Sequence, residues 1–180
     1  MAVRVGANVG AGQITFIKTQ VDHAPLARAL ARQSYAAGAR YVDVGYGDEH
    51  VRRAMIELGP DSALDFSPKW QNERYAAMAG NAMIATTGDA EPHLLADLDG
   101  ERVGRARPTE SLKVHRRLIA ERTMNWTGVG YPNAGWARQV PGPAWSGSGT
   151  PSPPARVSTK ATRSRHGGST WTASTGARPR

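Results

Sequence analysis

Residues 13–46 read QITFIKTQVDHAPLARALARQSYAAGARYVDVGY, and this run carries the architecture in outline. Gln13-Ile14-Thr15-Phe16-Ile17-Lys18 is short, β-branched and aromatic, the composition that suits a pleated, half-buried strand. Asp22 is placed to cap a following helix, Pro25 falls where the first helical turn tolerates it, and Leu26, Ala27, Leu30, Ala31 and Tyr35 recur at helical spacing. Gly38 supplies the stop. Arg40-Tyr41-Val42-Asp43-Val44-Gly45-Tyr46 then reads as a second strand, with Asp48 capping a helix from Glu49 to about Leu58. Strands alternating with helices through short joins predict an α/β fold with an open, mostly parallel sheet flanked by helices.

The pattern continues outward. Ser62 to Phe66 follows Gly59-Pro60, a helix spans about Pro68 to Ala79, and Asn81 to Thr87 is the third strand. Asp89 to Leu95 is expected as a short helix, and Gly100 to about Thr123 as a long amphipathic one burying Val103, Leu112, Val114 and Leu118, bent or divided at Pro108. Asn125 to Tyr131 is the fourth strand, and Pro132 to Arg138 turns into a further helix. Trp70, Trp126 and Trp136 are read as packing residues rather than a stacking platform.

Composition changes abruptly after Val140. Of the 40 residues from Pro141 to Arg180, 25 are Gly, Pro, Ser or Thr, so this stretch cannot bury enough surface to offset its ordering entropy and is expected to be a disordered, low-complexity tail. The organisation expected is thus an α/β domain over 1–140 and a basic tail over 141–180. The net charge of +8 is mostly a tail property, because Arg156, Lys160, Arg163, Arg165, Arg178 and Arg180 face no acid there. A nonspecific nucleic-acid arm is a minor alternative, since no recognisable module surrounds these cations.

The absence of Cys excludes a disulfide scaffold, an iron–sulfur site, a thiol nucleophile and a thiolate zinc site. No apolar run is long enough to span a bilayer and no secretory signal opens the chain, so a cytoplasmic location and no membrane partner are expected. The glycines of Gly6-Ala7-Asn8-Val9-Gly10-Ala11-Gly12 precede a strand, whereas a phosphate cradle follows one, so they are read as a flexible approach to the first strand. His23, His50, His93, His115 and His166 form no His-Glu-x-x-His pair, and His50 beside Asp48 and Glu49 reads as capping and solvent contact. Ser34, Ser62 and Ser67 lack a Gly-x-Ser-x-Gly setting. Asp43, placed toward the carboxyl end of its strand and joined by Asp48, is the one carboxylate with a claim on a ligand site, against a plain role in bonding loop amides.

Several segments resemble a known family. Asn8-Val9-Gly10-Ala11-Gly12-Gln13, Ala24 to Leu30 with Tyr35 and Ala36 to Asp43, Asp89 with Leu94 to Asp99, and Asn125-Trp126 with Tyr131-Pro132 and Trp136-Ala137 are similar, in order and spacing, to the thermophilic metallo-aminopeptidases of family M29, the aminopeptidase T or PepS group. The resemblance covers roughly residues 3–140. It implies an N-terminal α/β domain of an enzyme releasing N-terminal amino acids from peptides with zinc, cobalt or magnesium, its paired metals held by Glu, His and Asp of a second, C-terminal domain. No member of that ligand set maps onto this chain, so catalytic, cofactor-binding and metal residues here are none. The expectation is an inactive fragment, with the tail a frameshifted or truncated reading. A non-catalytic α/β domain acting in structure or association, including as a homo-oligomer, is the alternative.

Overall fold

Four strands form where the β-branched runs lie: β1 (Ile14–Gln20), β2 (Tyr41–Gly47), β3 (Ala82–Thr87) and β4 (Asn125–Gly130), all parallel, in the order β2-β1-β3-β4. The computed structural model describes residues 1–139; the tail expected over 141–180 lies outside the described residues. Parallel strands need helices on both faces, and the alternation along β1 shows how they are supplied. Thr15, Ile17 and Thr19 point to one face and Phe16 to the other, and Ile17 aligns with Ile84 of β3 so that both are wholly buried. Burying such a side chain contributes roughly 1.5–3 kcal/mol.

The first face is covered by α1 (Ala24–Ala36), through Ala27 and Leu30, and by a single π-helical turn at Ala2–Gly6. The glycine-rich approach to β1 is therefore not a flexible lead. Val3, Ala7 and Val9 are buried in the same core as Ile17, and Gly6 passes so close to β4 that a Cβ there would stand 2.8 Å from Thr127 Oγ1. The alternating apolar residues win because the sheet face beneath them would otherwise be wet.

Asp22 does not cap α1. A 3-10 turn over Val21–His23 leads straight into the helix, and the Ala24 amide is already satisfied by the Val21 carbonyl, leaving Asp22 exposed. Tyr35 is half exposed rather than core, and its hydroxyl accepts the Val42 amide at 3.2 Å on the outer edge of β2.

The second face is covered by α4 (Lys69–Ala76) and α6 (Thr109–Ala120), which close over Phe16, Met83, Met78, Leu118 and Met124. Pro108 divides the expected long helix into α5 (Gly100–Arg105) and α6. Because Pro108 itself offers no capping side chain, Ser67 does so from a distance, its hydroxyl accepting from the Glu110 and Ser111 amides at 3.2 and 3.4 Å. A satellite core of Ile56, Leu64 and Ala106 unites α2 (Glu49–Leu58), α3 (Asp61–Leu64) and α5. Arg102 pins it by donating to the Ile56 and Gly59 carbonyls at 2.8 and 2.7 Å.

Two further expectations fail. Asp89–Leu95 forms no helix, because its bonds (Leu94 to Glu91, Ala96 to His93) are all three residues apart and build successive turns around Pro92. Trp70, Trp126 and Trp136 are not packed inside; they are 65%, 50% and 40% exposed. α7 (Ala134–Gln139) ends the described chain. Since Ser67 is the side-chain acceptor for the first turn of α6, Ser67→Ala is expected to lower stability by about 1 kcal/mol in urea unfolding, with Ser67→Thr retaining most of it.

Candidate functional site

From β1 the chain crosses to β2 on one side and later to β3 on the other, so the switch point of this sheet lies at the carboxyl ends of β1 and β3. Open α/β sheets bind ligands in that crevice. Here it is occupied by the protein itself. His23, fully buried, reaches across 63 residues to bond Thr86 Oγ1 through Nδ1 at 2.7 Å and the Gly88 carbonyl through Nε2 at 2.8 Å. A carbonyl only accepts, so Nε2 carries the proton and Nδ1 is free to accept from the Thr86 hydroxyl. Thr86 is in turn bonded to Thr19 at 2.8 Å. Asn133 donates to the same Gly88 carbonyl at 3.0 Å, and the Tyr131 ring lies 4.8 Å from the imidazole. Gly88 holds φ +129°, a conformation that favours glycine.

Above this plug a small cleft of about 100 Å³ is rimmed by Asp22, Asp48, Glu49, His50, Asp89 and Glu91. Most of these groups have local work. Asp48 caps α2 as expected, its carboxylate accepting the His50 amide at 2.8 Å. Glu49 pairs with Arg52 at 3.0 Å, Asp89 accepts the Glu91 amide at 2.9 Å, and the His50 ring meets Glu91 at 3.1 Å. An adjoining cleft of about 340 Å³ is lined by Glu91, His93, Leu94, Gly135 and Arg138. Among the described residues no three His, Asp or Glu side chains converge as a metal site would require.

Asp43 does not join Asp48. It is the third residue of β2, aligned with Phe16 in mid-strand, and its carboxylate accepts from Arg74 Nε of α4 at 2.7 Å. The guanidinium lies over Gly45, where a Cβ would come within 2.6 Å of Nη2. A strand position facing a helix thus explains Asp43 better than a ligand does. His93 lines the larger cleft, whereas His115 lies on the α4–α6 side, its pKa pushed down by burial and by Lys18. Sequence reasoning missed His23, and nothing local signals it, since its partners are 63 and 65 residues away.

The turns rimming the cleft are tethered to α2 by Arg53, which grips both Asp97 carboxylate oxygens at 2.6 and 2.7 Å as well as the Leu94 carbonyl. The Arg53 hydrogen bonds hold the Asp97 carboxyl down to about 2. A carboxyl depressed in the folded state contributes above its unfolded value and loses that contribution as pH falls through the folded one, so the tether persists until strong acid. NMR titration of Asp97 is expected to show a midpoint near 2 that Arg53→Met moves up toward the ordinary carboxylate range, the backbone hydrogen bond to the carboxylate keeping part of the depression. His23→Ala, which removes a buried ring together with the acceptor of the Thr86 hydroxyl and one of the two donors to the Gly88 carbonyl, is expected to cost about 2–4 kcal/mol in denaturant unfolding.

Among known proteins, the family model described as thermophilic metalloprotease (M29) matches residues 1–149. Aminopeptidase T of Thermus thermophilus is 35% identical over 144 residues, covering 78% of this chain and 35% of that protein, and aminopeptidase AmpS of Bacillus subtilis is 31% identical over 143 residues. The solved structure of wild-type AmpT from Thermus thermophilus superposes with a TM-score of 0.70 at 36% identity, over 77% of this chain and 36% of that one. The chain therefore spans about 35% of the length of the curated relatives it matches. With the α/β fold, the family model and these relatives in agreement, the chain belongs to the M29 thermophilic metalloprotease family.

Proposed function

We propose that this chain supplies the N-terminal α/β domain of an M29 aminopeptidase acting on peptides in the cytoplasm, and that it holds no catalytic metal centre of its own. The observation that carries this reading is the state of the switch-point crevice: His23 fills it, and Asp48, Glu49, Asp89 and Glu91 above it are engaged in a cap, a turn and ion pairs. Paired divalent ions supply an activated water and a polarised scissile carbonyl to such a peptidase, and they require several converging carboxylates and imidazoles. The described residues do not fit that requirement. What these residues do instead is fasten the elements around the sheet to one another, Arg53 tying α2 to the turns at 91–97, Arg74 tying α4 to β2 and Arg102 tying α5 to the end of α2.

The family supports aminopeptidase activity for the whole protein, since its relatives are aminopeptidases and the shared segment is one-third of their length. Purified full-length chain, incubated with an N-terminally unblocked peptide in zinc, cobalt or magnesium beside a chelated control, is expected to release no amino acid while remaining folded by circular dichroism. Chelator-sensitive turnover that co-purifies with the chain would overturn the reading and place a metal site within these 180 residues.

A further inference from the structure

The roof over the second face holds a histidine with one ring nitrogen sealed in and unanswered. His115 lies midway along α6, four residues after buried Ser111 and three before buried Leu118, so helical spacing turns it toward α4 and the sheet. Its ring is 5.4 Å from that of Tyr75 in α4, and its Nε2 is buried without a hydrogen-bond partner among the described residues. The other described histidines are placed differently. Both ring nitrogens of His23 are bonded, the His50 ring meets Glu91, and His93 is exposed. A neutral imidazole can leave Nε2 as a bare acceptor, whereas a charged one must carry an N–H there and needs an acceptor for it.

None of the elements packed around His115 offers a free counter-charge among the described residues. β1 presents Lys18, on the same face as Phe16 by alternation, and its ammonium repels a positive imidazole. On α4, Arg74 is taken by Asp43 of β2 at 2.7 Å, and Lys69 by Glu73 at 3.8 Å. β3 and β4 carry no charged residue. Along α6 itself Glu110 is paired with Lys113 at 2.7 Å, and the remaining charges, Arg116 and Arg117, are positive. Burial, together with Lys18, holds the His115 pKa below its ordinary value.

We infer that His115 is an acid-sensitive latch: protonation drives its ring out of the α4–α6 interface and loosens α6 from the sheet, while α1 keeps the first face closed. Exposed, the imidazole takes up a proton at about 6.5; closed, it does so only at lower pH. The open form thus binds more protons, so closure is fully present above about 6.5 and weakens as pH falls toward the closed-state midpoint. At about pH 5.5 an exposed imidazole is roughly nine-tenths protonated, which limits the gain in opening to about tenfold. What opening uncovers is apolar, namely Phe16, Met83 and Leu118.

Amide hydrogen exchange of the full chain at about pH 7.5 and about pH 5.5, corrected for the intrinsic rate, reads this directly. Protection of Leu118 and Ile119 in α6 is expected to drop severalfold at the lower pH, up to that limit, relative to Leu30 and Ala31 in α1. His115→Phe, which keeps a ring beside Tyr75 and cannot titrate, is expected to hold α6 protection level across the same range. NMR titration of the His115 ring in the unaltered chain is expected to give a midpoint below about 6.5, and decides the matter if His115→Phe fails to fold. A midpoint at or above that value, undiminished α6 protection, equal loss in α1 and α6, or a loss that persists in folded His115→Phe would overturn the inference.

Discussion

A parallel sheet has to be roofed on both faces, and everything else in this domain follows from meeting that demand around β1. Ile17 and Ile84 have no water on either side, which requires α1 and the N-terminal turn above and α4 with α6 below. Each roof needs its own termini satisfied in turn. α1 receives a 3-10 lead-in, α2 an Asp48 cap, and α6 a borrowed hydroxyl from Ser67, so the polar side chains nearest the sheet are spent on backbone amides.

That expenditure shapes the electrostatics of the strand ends. Six ionisable side chains rim a small cleft, an arrangement that invites reading as a site, yet Asp48, Glu49, Asp89, Glu91 and His50 hold helix starts, turns and neighbouring charges. Arginine recurs as the fastener because its planar fork bridges carboxylates and carbonyls together: Arg53 joins α2 to the turns at 91–97, Arg74 joins α4 to β2, and Arg102 joins α5 to the end of α2. Membership of the M29 family is consistent with such a domain, for the relatives carry nearly twice as much chain again beyond the shared segment.

The order of strands and helices was legible in the sequence because local composition decides it. The strands read over Gln13 to Lys18 and Arg40 to Tyr46 fall on β1 and β2 to within two residues at each end, and the break at Pro108 is found where it was read, for reasons contained within a few residues. Where the reading failed, the deciding partner was distant. Asp22 looked like a cap until the Val21 carbonyl satisfied the same amide, and the glycine-rich lead looked loose although Thr127 of β4 packs against it. Trp126 and Trp136 show the converse: their residue type predicts burial, but their places on an edge strand and the helix after it leave them half exposed. Asp43 could not be separated from a ligand-binding carboxylate without Arg74, and His23 could not be found without Thr86 and Gly88.

The relay from Thr19 through Thr86 to His23 and on to Gly88 stitches the end of β1, the start of α1 and the end of β3 together across more than sixty residues. Closing a loop of that length is the service a disulfide commonly performs. In a chain without a single cysteine the closure is instead made by neutral hydroxyl, imidazole and carbonyl groups, none of which exchanges electrons. The junction of this sheet is consequently indifferent to the redox state of its surroundings, holding equally under reducing and oxidising conditions.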